Sequence, residues 1–408
     1  MNIELTKSER EFVAVVAASL GTRQIDINTD EIEYSPLFVT ATQQKLLPYV
    51  FEYVRLLPAA EKEENKQLFA MMKKNVINQV MGQTISSLEF SALYRTLLEK
   101  NLHPILVKGQ LCSRLYPMKE HRISADNDIY VSDDEFLACH EALVEYGLTT
   151  ECDVDKLMDE DEVTYMDKSR GLCIELHRRL FDSSEDAYDE LNPYFADAHK
   201  SPIMMNGVYS LTPHEHMLYL ILHAYKHFVV CGIGLRQFMD IAFWGKEYYS
   251  EIDWKRLYRE CRDVHAQTFA QMVFKINEKY LGIENNYGDI WKNEKVPCEP
   301  LLHDVLCGGI YGSNDYTRLH SSTVTLSAVK SSRNGKGGGL RHTLFPKKSY
   351  MEKRYKYVEK NPILLPIAWI NRIVDYLKET GNNDNDSAAD SLKLAKERIE
   401  LMKIYDII

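Results

Sequence analysis

The spacing of hydrophobic residues predicts helices in the first quarter of the chain. Over residues 1–101, apolar positions recur at helical intervals, and Ser8 and Glu11 form a capping-box pattern ahead of the first apolar stripe. The last long periodic run ends at Asn101, shortly before Pro104. We therefore expect an N-terminal helical region that ends at about residue 101.

The pattern then changes to short, continuous apolar runs, which are typical of strands. Lys108 and Gly109 follow the first of these runs, and a helical pattern continues over residues 110–116. A strand, a glycine turn and a helix are predicted in that order. A longer helix capped by Ser132 is predicted after the second run. The predicted strands lie at residues 105–107, 123–131 and 172–177, the last of them within a hairpin of residues 163–180.

Helical patterning returns at Thr212, where Pro213 and Glu215 occupy positions typical of a helix N-terminus. Because strand signals are confined to residues 102–180, the predicted fold class is α+β, with a small mixed β-sheet flanked by N-terminal and C-terminal helical regions. The predicted regions are an N-terminal helical region at 1–101, a mixed core at 102–200, a helical domain at 201–330, and a flexible Gly-rich loop with C-terminal helices at 331–408.

Composition narrows the classes of function. The formal net charge of −11 opposes contact with a phosphate backbone, so extended nucleic-acid binding is not expected. No apolar segment approaches the roughly 20 residues that span a bilayer, and the first residues lack a signal-peptide pattern. The 8 cysteines include no C-x-x-C pair, which indicates a reducing compartment and argues against a structural zinc site. We expect a cytoplasmic protein with no membrane partner.

Three carboxylates carry the candidate chemistry. Asp126 and Asp128 lie two apart on a predicted strand and would share one face, where a hard cation such as Mg²⁺ or Mn²⁺ would offset their repulsion. Glu175 lies among apolar residues and would be costly to bury without a partner. The alternative is an exposed edge strand with Glu175 on a solvated face. Together with a glycine turn, three such carboxylates are the parts of a two-metal phosphoryl or nucleotidyl transfer site.

Several segments resemble the DNA polymerase beta-like nucleotidyltransferase superfamily. KGQLCSRLYP, RISADNDIYV and IELHRRL are similar to its turn, its D-x-D strand and its third-carboxylate strand, and the resemblance continues through LILHAYKHFVVCGIGLRQFMDIAFW and FPKKSYMEKRYKYVEKNPILLPIAWINR. The likeness covers most of the chain. It is strongest to an uncharacterised bacterial branch in which Lys-Gly replaces Gly-Ser or Gly-Gly.

The resemblance implies a role for each matched residue. Asp126 and Asp128 would bind both catalytic metal ions, and Glu175 would bind one of them and orient or deprotonate the acceptor hydroxyl. Lys108 and Gly109 would lie near the triphosphate, and a sixth residue, Arg122, would offer its guanidinium to phosphate oxygens. The implied reaction is Mg²⁺-dependent transfer of NMP from an NTP, with ATP as the expected donor. The acceptor is left open among a small molecule, a protein and an RNA end.

Two positions depart from the superfamily pattern. Asn127 stands between the aspartates where an apolar residue is usual, and Gln110 follows Gly109 where a small residue is usual. These departures favour an alternative function, a non-catalytic nucleotide-binding or protein-interaction module that retains the nucleotidyltransferase fold.

Three histidines have open roles. His177 would share the face of Glu175 and either assist the site or cap it. His223 and His227 lie four apart on a predicted helix, but no H-E-x-x-H pattern is present, so a packing or hydrogen-bonding role is favoured over metal binding.

Two further patterns carry weaker signals. The dipeptide His303-Asp304 is similar to one found in metal-dependent phosphohydrolases, but the upstream ligands of that class are not evident. The Gly-rich run 335–339 lacks the ending of a P-loop, so a mobile loop is predicted over residues 331–342.

Overall fold

A computed structural model gives the structure of the chain. It describes residues 3–183, 189–230, 232–284, 286–308 and 388–408, with scattered positions between 351 and 371. The predicted loop at 331–342 lies outside the described residues.

The N-terminal region is helical, as predicted. The first helix is capped by Thr6, which accepts from the Glu9 amide, while the Glu9 carboxylate accepts from the Thr6 amide. The predicted capping box at Ser8 and Glu11 is therefore wrong; the same motif occurs two residues earlier, where it adds residues to the helix. The helices of this region are α1 (Lys7–Ser19), α2 (Tyr34–Gln43), α3 (Leu47–Val54) and α4 (Lys66–Glu99).

The mixed sheet has six strands in the order β3-β4-β2-β1-β6-β5. Strand β2 is antiparallel to β1 and parallel to β4, and β1 is parallel to β6. The three predicted strands are therefore neighbours, which confirms the α+β architecture. The strands are β1 (Ile105–Leu106), β2 (Asn127–Tyr130), β3 (Glu162–Asp167), β4 (Leu172–His177), β5 (Ile203–Met205) and β6 (Val208–Ser210).

Two strand predictions need correction. Strand β2 begins at Asn127 and not at residue 123, because side chains bind the preceding backbone: Gln83 Oε1 accepts from the Ser124 amide at 2.7 Å. Strand signals were also not confined to residues 102–180, since the hairpin β5–β6 completes the sheet. Its turn has φ of 52° at Asn206 and 86° at Gly207, and Asn-Gly is a strong hairpin signal.

Helices account for much of the rest of the described chain. The helix after β6 begins as predicted, since Thr212 Oγ1 accepts from the Glu215 amide at 3.3 Å. Among the described residues, no helix is both long and apolar enough to span a bilayer. The remaining helices are α5 (Gln110–Ser113), α6 (Asp133–Tyr146), α7 (Pro213–Val230), α8 (Leu235–Glu247), α9 (Trp254–Asp263), α10 (Gln267–Lys279), α11 (Glu299–Gly308) and α12 (Ala388–Ile404).

Candidate active site

The register of β2 and β4 places two of the predicted carboxylates directly opposite each other. Asp128 pairs with Glu175 across these parallel strands, and neighbouring strands lie only about 4.8 Å apart. Asp126 precedes β2 by one residue and is half-buried; Ser124 Oγ lies 3.4 Å from its Oδ1. The structure thus brings Asp128 and Glu175 together, with Asp126 beside the start of the strand.

His177 joins these carboxylates from the same face of β4. Its Nε2 lies 3.4 Å from Asp128 Oδ1 and 3.9 Å from Glu175 Oε2. One ligand atom from each of these three residues lies within 4.8 Å of the others, which is compact enough for a shared metal ion. Asp126 is not a member of this group.

The two paired carboxylates have opposite electrostatic surroundings. Burial alone would raise the pKa of Asp128, but the Lys108 ammonium, 2.7 Å from Oδ1, and His177 outweigh it and hold this pKa well below its usual range. Burial and the neighbouring charge of Asp128 raise the pKa of Glu175 to about 9. The second oxygen of Asp128, Oδ2, is buried and has no hydrogen-bond partner among the residues that the structure describes. An orphaned carboxylate oxygen beside a second carboxyl group fits a divalent cation.

The Lys108–Gly109 turn leads from β1 towards this cluster. Gly109 has φ 59° and ψ −115°, a conformation that favours glycine, and a Cβ there would lie 3.4 Å from Asn127 Oδ1. Arg122 holds the turn, because its Nη1 donates to the Gly109 carbonyl at 3.1 Å. Its Nε and Nη2 each donate to Asp240 at 2.7 Å. These three hydrogen bonds hold the guanidinium within the fold, and contact between Arg122 and a phosphate stays a prediction.

Sequence comparison supports a nucleotidyltransferase reading of this geometry. Residues 30–282, more than half of the chain, match the model of a family described as uncharacterised nucleotidyltransferase. The chain belongs to this nucleotidyltransferase family. No curated protein and no solved structure matches it. The predicted superfamily resemblance is confirmed to this extent, while the bacterial Lys-Gly branch stays a prediction.

The two departures from the nucleotidyltransferase pattern lie beside the carboxylate cluster and take no part in it. Asn127 is only 6% exposed, and its Nδ2 donates to the Cys173 carbonyl of β4 at 3.4 Å. Gln110 turns the other way, with Nε2 donating to the Ser87 carbonyl of α4 at 3.0 Å. Both polar side chains are therefore satisfied within the fold and leave the carboxylates in place.

Two histidines of α7 continue from Lys108 as a hydrogen-bonded row. Lys108 Nζ lies 2.9 Å from His223 Nε2, which in turn lies 3.1 Å from His227 Nε2. Because an ammonium only donates, His223 Nε2 accepts and its proton is assigned to Nδ1. Burial, and then the Lys108 charge, hold the pKa of His223 well below its usual range and lower the pKa of His227 to about 3. Both rings are neutral, in agreement with the favoured hydrogen-bonding role.

Two charged residues near the carboxylate cluster are absent from the residues predicted from the sequence. Glu162 pairs with His177 across β3 and β4, and its Oε2 lies 3.6 Å from His177 Nδ1. Lys45, between α2 and α3, has its pKa lowered by burial and by Arg236, and raised in part by Asp126. The alternation of exposed and buried residues in β3 could have pointed to Glu162. No local sequence pattern places Lys45 near Asp126, because that proximity depends on how the N-terminal helices pack against the rest of the fold.

Proposed function

We propose that this protein transfers NMP from an NTP, with ATP as the expected donor, to a hydroxyl group of an acceptor molecule, with Mg²⁺ or Mn²⁺ as its cofactor. The observation that carries the proposal is the direct pairing of Asp128 and Glu175 across β2 and β4. Asp128 Oδ2 is buried there and has no hydrogen-bond partner in the described part of the chain. The family match supplies the class of reaction.

The described residues suit a hard divalent cation. Asp128 and Glu175 would hold it, with Asp126 as the third carboxylate. His177, at the end of β4, lies beside both Asp128 and Glu175. When bound, such an ion supplies positive charge against a triphosphate and makes a hydroxyl group a better nucleophile. Carboxylate oxygens are the ligands that Mg²⁺ and Mn²⁺ prefer.

The side chains divide the remaining tasks. Without a cation, burial and the charge of Asp128 raise the pKa of Glu175 to about 9, which keeps it protonated near neutral pH. A cation bound beside Asp128 would favour the deprotonated form, and the Glu175 carboxylate would then orient the acceptor hydroxyl or take its proton. The Lys108 ammonium lies beside the glycine turn, where it would contact the triphosphate oxygens. Arg122, itself paired with Asp240, keeps that turn in position through its hydrogen bond to the Gly109 carbonyl.

One observation favours a second candidate function. Lys108 Nζ lies 2.7 Å from Asp128 Oδ1, so an internal ammonium already neutralises the most buried carboxylate. A protein in which Lys108 never leaves Asp128 would bind nucleotide, or a partner protein, without turnover. This is the non-catalytic module that the departures at Asn127 and Gln110 also favour.

The two candidates are separated by following the α-phosphate. The full chain is incubated with Mg²⁺, α-labelled NTPs and cell extract, and label is sought in the small-molecule, protein and RNA fractions. The catalytic function predicts Mg²⁺-dependent label in one fraction, with pyrophosphate released. Asp128→Asn should abolish it, whereas Asp134→Asn, an exposed acid on α6, should not. Nucleotide binding by calorimetry with no labelled fraction would establish the non-catalytic module instead.

A further inference from the structure

A second group of potential metal ligands lies where helices α1 and α11 meet. Glu9 lies on α1, and His303 and Cys307 lie on α11. His303 Nδ1 is 2.7 Å from Glu9 Oε1, and Cys307 Sγ is 3.6 Å from the same oxygen. Cys307 Sγ also lies 3.7 Å from His303 Nε2. One ligand atom from each of the three residues falls within 4.8 Å of the others.

Local structure fixes the direction of each ligand. The capping box of α1 uses only one oxygen of Glu9, since the Thr6 amide donates to Oε2 at 2.8 Å. The other oxygen, Oε1, is thereby turned towards α11. His303 and Cys307 are four residues apart, which places them on one face of that helix. Glu9 is 8% exposed, whereas Cys307 is exposed, so an ion can approach from solvent while the carboxylate stays in place.

The separations suit tetrahedral coordination. In a zinc site with ordinary bond lengths, neighbouring ligand atoms lie about 3.3–3.6 Å apart. With His303 Nδ1 as the ligand nitrogen, the two distances from Cys307 Sγ are 3.6 Å to Glu9 Oε1 and 3.8 Å to His303 Nδ1, close to these values. The 2.7 Å contact between His303 Nδ1 and Glu9 Oε1 is a direct hydrogen bond, which an ion would have to open by at least about 0.6 Å.

We propose that Glu9, His303 and Cys307 bind a thiophilic divalent cation of the zinc class, which cross-links α1 to α11. The ligand chemistry separates this site from the carboxylate cluster. A thiolate and an imidazole select Zn²⁺ or Co²⁺ over Mg²⁺, whereas the carboxylates of β2 and β4 suit hard ions. His303 and Cys307 form no C-x-x-C pair, so the cysteine pattern alone did not reveal the site.

The consequence is stabilisation of two segments that are far apart in sequence. His303 lies 294 residues after Glu9, and an ion that binds only the folded chain shifts the folding equilibrium by mass action. The site does not depend on the proposed transferase activity. It predicts that Zn²⁺ raises the melting temperature of the protein even when the carboxylate cluster is disabled.

The test uses Co²⁺ and Zn²⁺ with the full, reduced chain. Co²⁺ bound to a thiolate gives a sulfur-to-metal charge-transfer band in the near ultraviolet, which carboxylate sites do not give. We expect one equivalent of Co²⁺ to produce this band and Zn²⁺ to remove it. Cys307→Ser should abolish the band and His303→Ala should weaken Co²⁺ binding at least tenfold. Cys152→Ser and Cys173→Ser, matched controls at half-buried thiols, should retain it.

Thermal unfolding with and without Zn²⁺ gives an independent readout. The wild-type chain and Asp128→Asn should both gain several degrees in melting temperature, and Cys307→Ser should gain none. Because Cys307 is exposed, its serine variant should fold with an unchanged metal-free melting temperature. A charge-transfer band that persists in Cys307→Ser, or no band in the wild-type chain, would overturn the proposal.

Discussion

At the scale of single residues, the carboxylate cluster is destabilising in the metal-free protein. Glu175 lies between Asp128 and Glu162, both of which raise its pKa after the larger effect of burial. Its ordinary pKa is 4.5, and in the folded chain it is about 9. Folding therefore favours the protonated form of Glu175, and deprotonation opposes folding.

Glu175→Gln should stabilise the metal-free protein in a pH-dependent way. A raised folded-state pKa means that wild-type stability is fully present below about pH 4.5 and is lost as the pH rises towards 9. Glutamine cannot ionise, so the variant should gain on the order of a few kcal/mol in unfolding free energy near pH 8 and little at pH 4.5. Urea denaturation across this range is the measurement. An equal gain in the control Glu151→Gln, at an exposed acid, would refute the electrostatic reason.

Lys108→Ala tests the other charge of the cluster. The substitution leaves Asp128 buried without its ammonium partner, which costs about 3–5 kcal/mol. We expect a lower melting temperature without Mg²⁺ and weaker Mg²⁺·NTP binding. Binding of Mg²⁺ alone should not weaken, because the ammonium no longer competes with it for Asp128 Oδ1. Calorimetry and thermal unfolding measure both effects, and Lys119→Ala, at a lysine whose side chain is 65% exposed, is the control. Unchanged nucleotide affinity would place the phosphate site elsewhere, at Arg122 or in the helical domain.

At the scale of elements, the glycine turn depends on a charge pair with α8. Arg122 and Asp240 are 2% and 4% exposed, and Tyr116 also donates to Asp240 Oδ1, at 2.7 Å. Two donors of the guanidinium go to Asp240 and one to the Gly109 carbonyl. The position of the β1–α5 turn is therefore set by a helix more than 100 residues later in the chain.

Asp240→Asn should destabilise the protein strongly and displace the turn. The buried guanidinium of Arg122 would lose its counter-charge, at a cost of about 3–5 kcal/mol. Replacing both residues by apolar ones, as in Arg122→Met with Asp240→Leu, should recover part of that loss, since neither charge is then buried alone. Urea denaturation of the single and double variants measures this. A double variant less stable than Asp240→Asn would contradict the charge-pair account.

The strands of the candidate site could be predicted from the sequence. The groups that the Lys108 and Arg122 side chains contact could not. Ile105, Asp128 and Glu175 lie in short apolar runs, where strand propensity and local spacing decide the structure. Besides Asp128 and the Gly109 carbonyl, Lys108 and Arg122 have partners 115 and 118 residues away, His223 on α7 and Asp240 on α8. A triphosphate role was predicted for both cations, whereas the structure gives them protein partners that no local pattern encodes. The hairpin β5–β6 was predictable from Asn-Gly and was overlooked.

At the scale of the whole molecule, the C-terminal helix α12 completes the helical region that carries the histidine row. The Arg398 guanidinium is buried, and Nη2 donates to the Phe228 carbonyl at the end of α7. Nη1 lies 3.5 Å from the Val230 carbonyl. A cation placed at the last carbonyls of a helix satisfies them and interacts favourably with the helix dipole.

Arg398→Ala should therefore loosen the end of α7. We expect a loss of about 1–3 kcal/mol in unfolding free energy, because buried carbonyl groups lose a charged donor. Faster amide exchange at Phe228 and at the adjacent His227 should accompany this loss, because the last turn of α7 would open more often. Lys396→Ala, at an exposed position of the same helix, is the matched control and should change neither quantity. Equal losses in both variants would indicate a general effect on α12.

The position of Lys108 places an internal competitor at the proposed cation site. While its ammonium stays 2.7 Å from Asp128 Oδ1, a divalent ion that approaches this oxygen meets a like charge. A polyphosphate that draws the ammonium away removes the repulsion, and by thermodynamic reciprocity the ion strengthens polyphosphate binding by the same factor. Under the proposed function, cation and nucleotide would then bind as one unit, and the carboxylates would not sequester free metal ions while nucleotide is scarce.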